Sequence, residues 1–271
     1  MTASDDARSR AAATYNAAAD RYDDPANSFW SRFGRETIAR LPLAPGACVL
    51  DVCCGTGASA IPAAERVGAA GRVLGLDLAE RPLALARAKA SERGLRNVEF
   101  RVGDLLELDF AAARFDAVVC VFGVFFVPDM AAAIRSLWHA VRPGGTLAIT
   151  TWGPRFFEPG SSVFWDAIRR VRPDLHRGFN PWDRVCEPEP LRALLDEAGV
   201  GDADVVAQPG QHPIASPEAW WTAVEGSGYR GTLEQLSAAE LAQVRALNLE
   251  GIARLGITDV EANVVFATAS R

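Results

Sequence analysis

The chain has 271 residues, 49% of them apolar and 23% charged, with a formal net charge of −6. That composition suits a globular protein with a sizeable core, and no stretch concentrates Lys and Arg as a nucleic-acid footprint requires. Charges in MTASDDARSRAAATY stand where a signal peptide is apolar, and the longest apolar run, Ala117 to Val127, is too short for a membrane-spanning helix. A cytoplasmic protein without an integral membrane segment is expected.

Residues 1–45 read as helical, with Phe29, Trp30, Phe33, Ile38 and Leu41 on one apolar face and Ser28 placed to cap it. Strands and helices then alternate. CVLDV (48–52), RVLGLD (72–77), NVEFRV (97–102), FDAVVCVF (115–122) and TLAITTW (146–152) read as strands. Between them lie helical patterns over Ala58 to Val67, with Pro62 tolerated near the first turn, and over Glu80 to Arg93, closed by Gly94. A third is capped by Asp129, carries Ile134, Leu137, Trp138 and Val141 on one face, and ends at Pro143-Gly144-Gly145. Apolar strands alternating with helices imply a mostly parallel sheet covered on both faces.

Further on, Glu187 to Ala198 reads as a helix and DVVAQ (204–208) as a strand. Ser216-Pro217-Glu218 opens another helix, and Ser237 with Glu240 forms a capping box before a longer one. NVVFATA (263–269) is the last strand. Residues 153–187 and 210–260 read as insertions on the sheet, rich in Trp and Phe.

The five cysteines, Cys48, Cys53, Cys54, Cys120 and Cys186, contain no CxxC pair, so no metal site is expected. All but Cys186 lie in apolar strand contexts, where a free cysteine packs as a small hydrophobe.

After the first strand, Gly55-Thr56-Gly57-Ala58-Ser59-Ala60 matches G-x-G-x-x-A, a weak dinucleotide signature by itself. Asp51 decides against a dinucleotide, because a pyrophosphate in this turn would meet a like charge. S-adenosylmethionine carries an ammonium and a sulfonium but no phosphate, and suits the acid. Asp77 ends the second strand, where a carboxylate accepts ribose hydroxyls. Asp104, after the third strand, is placed to accept from an adenine amino group. The three acids fall at the carboxyl ends of successive strands, the edge at which open α/β sheets hold ligands.

Here the sequence resembles the class I S-adenosylmethionine-dependent methyltransferases. VLDVCCGTG is similar to their first motif, GRVLGLDLAE to the second and FRVGDLLELDF to the adenine segment. FDAVVCVFGVFFVPD and AVRPGGTLAITTW resemble the later strands and turn, in the manner of the ubiquinone/menaquinone methyltransferase branch and related small-molecule enzymes. The resemblance is close over residues 45–152. It implies a Rossmann-like sheet of seven strands, mostly parallel with the last antiparallel, and helices on both faces. The whole chain, 1–271, would then be one unit: an N-terminal helical lid (1–45), a cofactor core (46–152), two substrate-side insertions and the final strand.

Carried over position by position, the resemblance implies that Asp51 and the turn Cys53, Cys54, Gly55, Thr56 and Gly57 hold the methionine portion. Asp77 would hold the ribose and Leu78 the adenine, with Asp104 and Leu105 at the adenine's amino group and face. The Val121 carbonyl would meet the ammonium, and Tyr15 and Tyr22 belong to the closing segment. Cys53 departs from the family, which has glycine there, so its backbone angle is expected to be one an L-residue adopts readily. Trp152, Phe156, Phe157, Trp165, Phe179, Trp182, Trp220 and Trp221 are candidates to wall an acceptor pocket or simply to form core.

The expected function is methyl transfer to a small, hydrophobic or aromatic acceptor at oxygen or carbon, with S-adenosylhomocysteine as product. The alternatives are a non-catalytic S-adenosylmethionine-binding module and a dinucleotide-dependent oxidoreductase. His139 falls on a polar helix face, while His176 and His212 lie in the insertions, and no catalytic base is assigned. The sequence does not indicate the oligomeric state.

Overall fold

The computed structural model describes residues 3–107 and 114–271. Two helices, α1 (Ala3–Tyr22) and α2 (Phe29–Ala39), precede the alternating part. That part runs β1 (Cys48–Val52), α3 (Ala60–Val67), β2 (Arg72–Asp77), α4 (Glu80–Glu92), β3 (Val98–Val102), β4 (Phe115–Val121), α5 (Met130–Ala140) and β5 (Val141–Trp152). After it come α6 (Gly160–Val171), α7 (Pro188–Glu197), β6 (Asp204–Gln208), β7 (Gln211–Pro213), α8 (Pro217–Glu225), α9 (Arg230–Leu233), α10 (Ala238–Leu255), β8 (Asp259–Glu261) and β9 (Val264–Ser270).

Seven strands form one sheet in the order β3-β2-β1-β4-β5-β9-β6, with β9 antiparallel to both of its neighbours. This is the expected Rossmann-like sheet. Its two faces can be read from alternation along the strands, because successive side chains point to opposite sides. Val49, Ala117 and Val119 join a cluster with Ile61, Val67 and Leu83, under α3 and α4. Leu50, Val52, Val118 and Cys120 join the larger cluster on the other face, with Ile134 and Leu137 of α5 and the aromatic insertions. Burial on both faces explains why β1 and β4 are apolar at nearly every position.

Two local expectations need correction, and one element went unread. Ser28 makes no side-chain capping bond and is itself helical in φ and ψ; Asp24 caps instead, its carboxylate accepting from the Ala26 amide ahead of a short turn over Pro25–Asn27. Pro143-Gly144-Gly145 lies inside a strand that begins at Val141. The chain end pairs along it, with Gly144 N donating to the Arg271 carbonyl at 2.6 Å and Arg271 N to that of Gly145 at 2.9 Å. Tertiary pairing overrides turn composition there. Finally, β7 and β8 pair as a separate antiparallel ribbon of three residues each, too short to announce itself by alternation.

The capping signals at Asp129, Ser216 and Ser237 are all used, the last as a reciprocal box with Glu240. Gly34 of α2 lies against the Ala58 carbonyl so closely that a Cβ would clash, which seats the N-terminal helices on the glycine turn.

Candidate functional site

The turn after β1 gathers three residues in the left-handed backbone region: Cys53 (φ 60°), Gly55 (φ 54°) and Gly57 (φ 81°). Glycine adopts these angles freely; Cys53 does not, so the expectation of an ordinary angle there is overturned. Phe122, which follows the neighbouring strand β4, is also left-handed at φ 56°. Two strained L-residues thus flank one sheet edge, a pattern typical of ligand sites. The Cys53 side chain is held against Cys120 and Gly123: a Cβ on Gly123 would fall 2.6 Å from the Cys53 sulfur and 2.9 Å from that of Cys120. The Cys120 contact and burial push the Cys53 thiol well above its usual pKa, and burial does the same for Cys54. Both remain protonated, as packing groups do.

The three acids lie where the strand ends put them. Asp51 is 1% exposed; its Oδ2 accepts from the Ser59 hydroxyl at 2.6 Å, while Oδ1 has no partner. Burial, with the nearby Asp77 charge, raises its pKa to about 7 against the opposing hydrogen bonds of Ser59 and Ala60. Asp77 accepts from the Gly55 amide (2.8 Å) and the Ala79 amide (2.9 Å), and burial raises its pKa despite them. Asp104 is 8% exposed, accepts from Leu106 N at 2.8 Å and pairs with Arg8 of α1. Thr56 is fully buried and donates to Asp23, which Lys89 also reaches.

Between this edge and α1 lies a cavity of about 80 Å³. It is lined by Tyr22, Cys53, Gly55, Asp77, Leu78 and Val121 from the expected set, and by Tyr15 of α1. Asp51, Cys54, Thr56, Gly57, Asp104 and Leu105 do not line it. Trp30, Phe122 and Phe126 do, and sequence reasoning had assigned them no such place. The signal available for Phe122 and Phe126 was their position just beyond β4, at the edge that carries Asp51 and Asp77. A groove of about 760 Å³ opens at the opposite, amino-terminal edge and touches none of these acids.

Tyr22 closes the cavity. A Cβ on Gly55 would lie 3.1 Å from its hydroxyl, and its ring stacks on Trp30 with centroids 4.8 Å apart. Burial raises the phenol pKa of both Tyr15 and Tyr22, so neither is a base.

None of the aromatic residues proposed as pocket walls lines the cavity. Phe122, Trp152, Phe156 and Phe157 form a continuous stack with centroid separations of 3.6, 3.8 and 3.8 Å, all buried, and Trp220 packs on the last ring. Most of the set is core; Phe179 is instead exposed. The histidines are elsewhere too: His139 is exposed, His176 meets Arg169 and Trp165, and His212 is buried with Nε2 donating to the Ala26 carbonyl at 2.8 Å.

The strand order, the glycine turn and three strand-end carboxylates define a Rossmann-like fold of the methyltransferase type. The family described as a methyltransferase domain matches residues 49–145. Nocamycin O-methyltransferase of Saccharothrix syringae is 36% identical over 209 residues, 77% of this chain and 68% of that protein. The chain belongs to the methyltransferase-domain family. Demethylmenaquinone methyltransferase of Listeria monocytogenes is 40% identical over 150 residues, 55% of this chain, and the matched part spans 62% of that relative's length. Among solved structures, phosphoethanolamine N-methyltransferase 2 of Haemonchus contortus in complex with S-adenosyl-L-methionine superposes with a TM-score of 0.55 at 19% identity, over 88% of this chain and 52% of that one. No helix among the described residues is long and apolar enough to cross a membrane, and no group of three metal-ligating side chains occurs among them.

Proposed function

We propose that the protein is an S-adenosylmethionine-dependent methyltransferase acting in the cytoplasm on a small, hydrophobic or aromatic acceptor, at oxygen or carbon. The observation that carries this reading is the buried Asp51 carboxylate, whose Oδ1 has no partner, beneath the glycine turn. A buried charge without a partner costs several kcal/mol, and a ligand cation offsets that cost where a pyrophosphate would add to it. The fold of the protein as a single unit, with residues 1–45 as its lid, is part of the same proposal.

The donor set fits the cofactor by chemistry. Asp51 suits the ammonium, and Asp77 retains lone pairs for ribose hydroxyls beyond the two amides it already accepts. Leu78 and Val121 line the cavity with Asp77, while Asp51 lies outside its lining. Space is a separate matter: about 80 Å³ is well below the roughly 300 Å³ at which small-molecule sites begin. The Tyr22 ring and the Arg8 end of α1 must therefore withdraw before the site fills. When bound, the cofactor supplies an electrophilic methyl carbon. The chain's part is to exclude water with Tyr15, Tyr22, Trp30, Phe122 and Phe126 and to hold the reacting atoms in line.

No histidine is among the residues that line the cavity, and a non-catalytic cofactor-binding module is the alternative reading. The test is calorimetric titration with S-adenosylhomocysteine, NADH in parallel, followed by turnover with demethylated quinols and phenols. Micromolar binding of the first and methylation of a quinol or phenol supports the enzyme. Binding without turnover on any acceptor supports the module, and tight NADH binding alone overturns both.

A further inference from the structure

Arg170, Arg177 and Arg184 are exposed at the end of α6 and in the segment that follows it, and none has an acidic partner among the described residues. Over Arg169–Arg184 the cations outnumber the acids, which are Asp174 and Asp183, although the chain carries a net charge of −6. Phe179 stands among these arginines and is 55% exposed.

The segment is held at both ends, by Arg172 on Gln235 and Glu240 and by Trp182 at the other side, with Arg177 and Phe179 exposed between them. Trp182 packs on Phe125 (5.8 Å) and Phe156 (5.6 Å), and the Thr151 hydroxyl donates to the Val185 carbonyl at 2.9 Å. It therefore lies at the carboxyl end of β5, beside the turn whose Phe126 lines the cavity. The remaining large exposed apolar side chains, such as Val102, Val206 and Leu255, fall on β3, β6 and α10 and form no patch with Phe179. A protein partner needs a broad, partly apolar face of about 800 Å². One exposed ring among unpaired guanidinium groups is instead the pattern that meets phosphate headgroups, with the ring entering the interface.

We propose that the Arg170–Arg184 segment docks the protein peripherally on an anionic lipid bilayer, with Phe179 in the headgroup layer and the arginines on lipid phosphates. The benefit, presenting the cavity to a membrane-dissolved acceptor, rests on the function proposed above; the docking itself does not. It is tested by co-sedimentation with vesicles of phosphatidylcholine alone and of phosphatidylcholine with phosphatidylglycerol, at low and high salt. The whole chain is compared with Phe179→Ser and with the double variant R177E/R184E. Wild type is expected on the anionic vesicles only, and to leave them in high salt. Each arginine near an anionic surface contributes about fivefold, so the double variant is expected to bind at least about 25-fold more weakly. S-adenosylhomocysteine titration of the same variants reports the cofactor site separately, so a failure of docking is distinguishable from a failure of the proposed function. Equal binding to both vesicle types, undiminished binding by the variants, or retention on a soluble polyanion without vesicle binding overturns the proposal.

Discussion

Replacing Asp51 with asparagine separates the stability of this fold from its use. The carboxyl titrates at about 7 when folded and near 3.8 in a free chain. A folded pKa above the unfolded one means that the folded state holds the extra proton between those values, so stability falls as pH rises through that window. At 1.36 kcal/mol per unit, the carboxyl costs the fold about 4 kcal/mol at pH 8, where it is mostly ionised, and about 2 kcal/mol at pH 5, where the folded state keeps a proton that the unfolded chain has lost. Asparagine keeps an acceptor for Ser59 but buries an amide N–H₂ beside the unpartnered Oδ1 position, at a cost of about 1–2 kcal/mol. The variant should therefore melt above wild type at pH 8, by roughly 2 kcal/mol, and show little or no gain at pH 5. Its affinity for S-adenosylhomocysteine should fall at least tenfold, because the ammonium loses its counter-charge. Thermal melts at the two pH values and calorimetry at pH 7.5 give both numbers. A variant less stable than wild type at pH 8, or one that binds as tightly, would refute the account of Asp51 as a charge held for a ligand.

Three further outcomes are expected. Trp152→Ala should cost about 3–5 kcal/mol in a denaturant melt, since its ring is stacked at 3.6 Å and 3.8 Å between Phe122 and Phe156; a loss of acceptor turnover with full stability would instead return Trp152 to a pocket wall. Cys53→Gly relieves a left-handed angle at φ 60° but leaves the backbone groups of the turn in place, so cofactor affinity should change by less than about threefold; a gain far beyond that would mean that the cysteine obstructs the site. Arg8→Ala removes the α1 contact to Asp104 and should tighten S-adenosylhomocysteine binding several-fold by favouring the open lid, with faster proteolysis of α1 in the free protein as the second readout.

The sheet was legible because its strands are buried on both sides, so β1, β2, β4 and β5 appear as apolar runs bounded by turn residues. The acids were legible because strand ends fix their position whatever surrounds them. The aromatic residues were not. A tryptophan in an insertion carries the same letters whether it walls a pocket or fills a core, and only packing shows that Trp152, Phe156 and Phe157 stack on one another. The backbone of Cys53 was hidden for a related reason. Nothing in CCGTG tells which residue takes the first left-handed angle, and the tight fit of Gly123 around its sulfur supplies the constraint from β4.

The place of α1 follows from the same acids. Carboxylates gathered at one edge attract cations even before a ligand arrives, and α1 brings Arg8 to Asp104 while Lys89 balances Asp23 under the glycine turn. Asp51 stands outside this arrangement: it is 1% exposed and keeps an unsatisfied oxygen. Helix α1 therefore answers one of the two outer acids, Asp104, with a charge, while Asp77 accepts from the Gly55 and Ala79 amides, outside that helix. A ligand that reaches Asp51 with a compact ammonium would gain an interaction that Arg8 and Lys89 do not supply. That difference, rather than the surface ion pairs it displaces, is what would drive the helix aside.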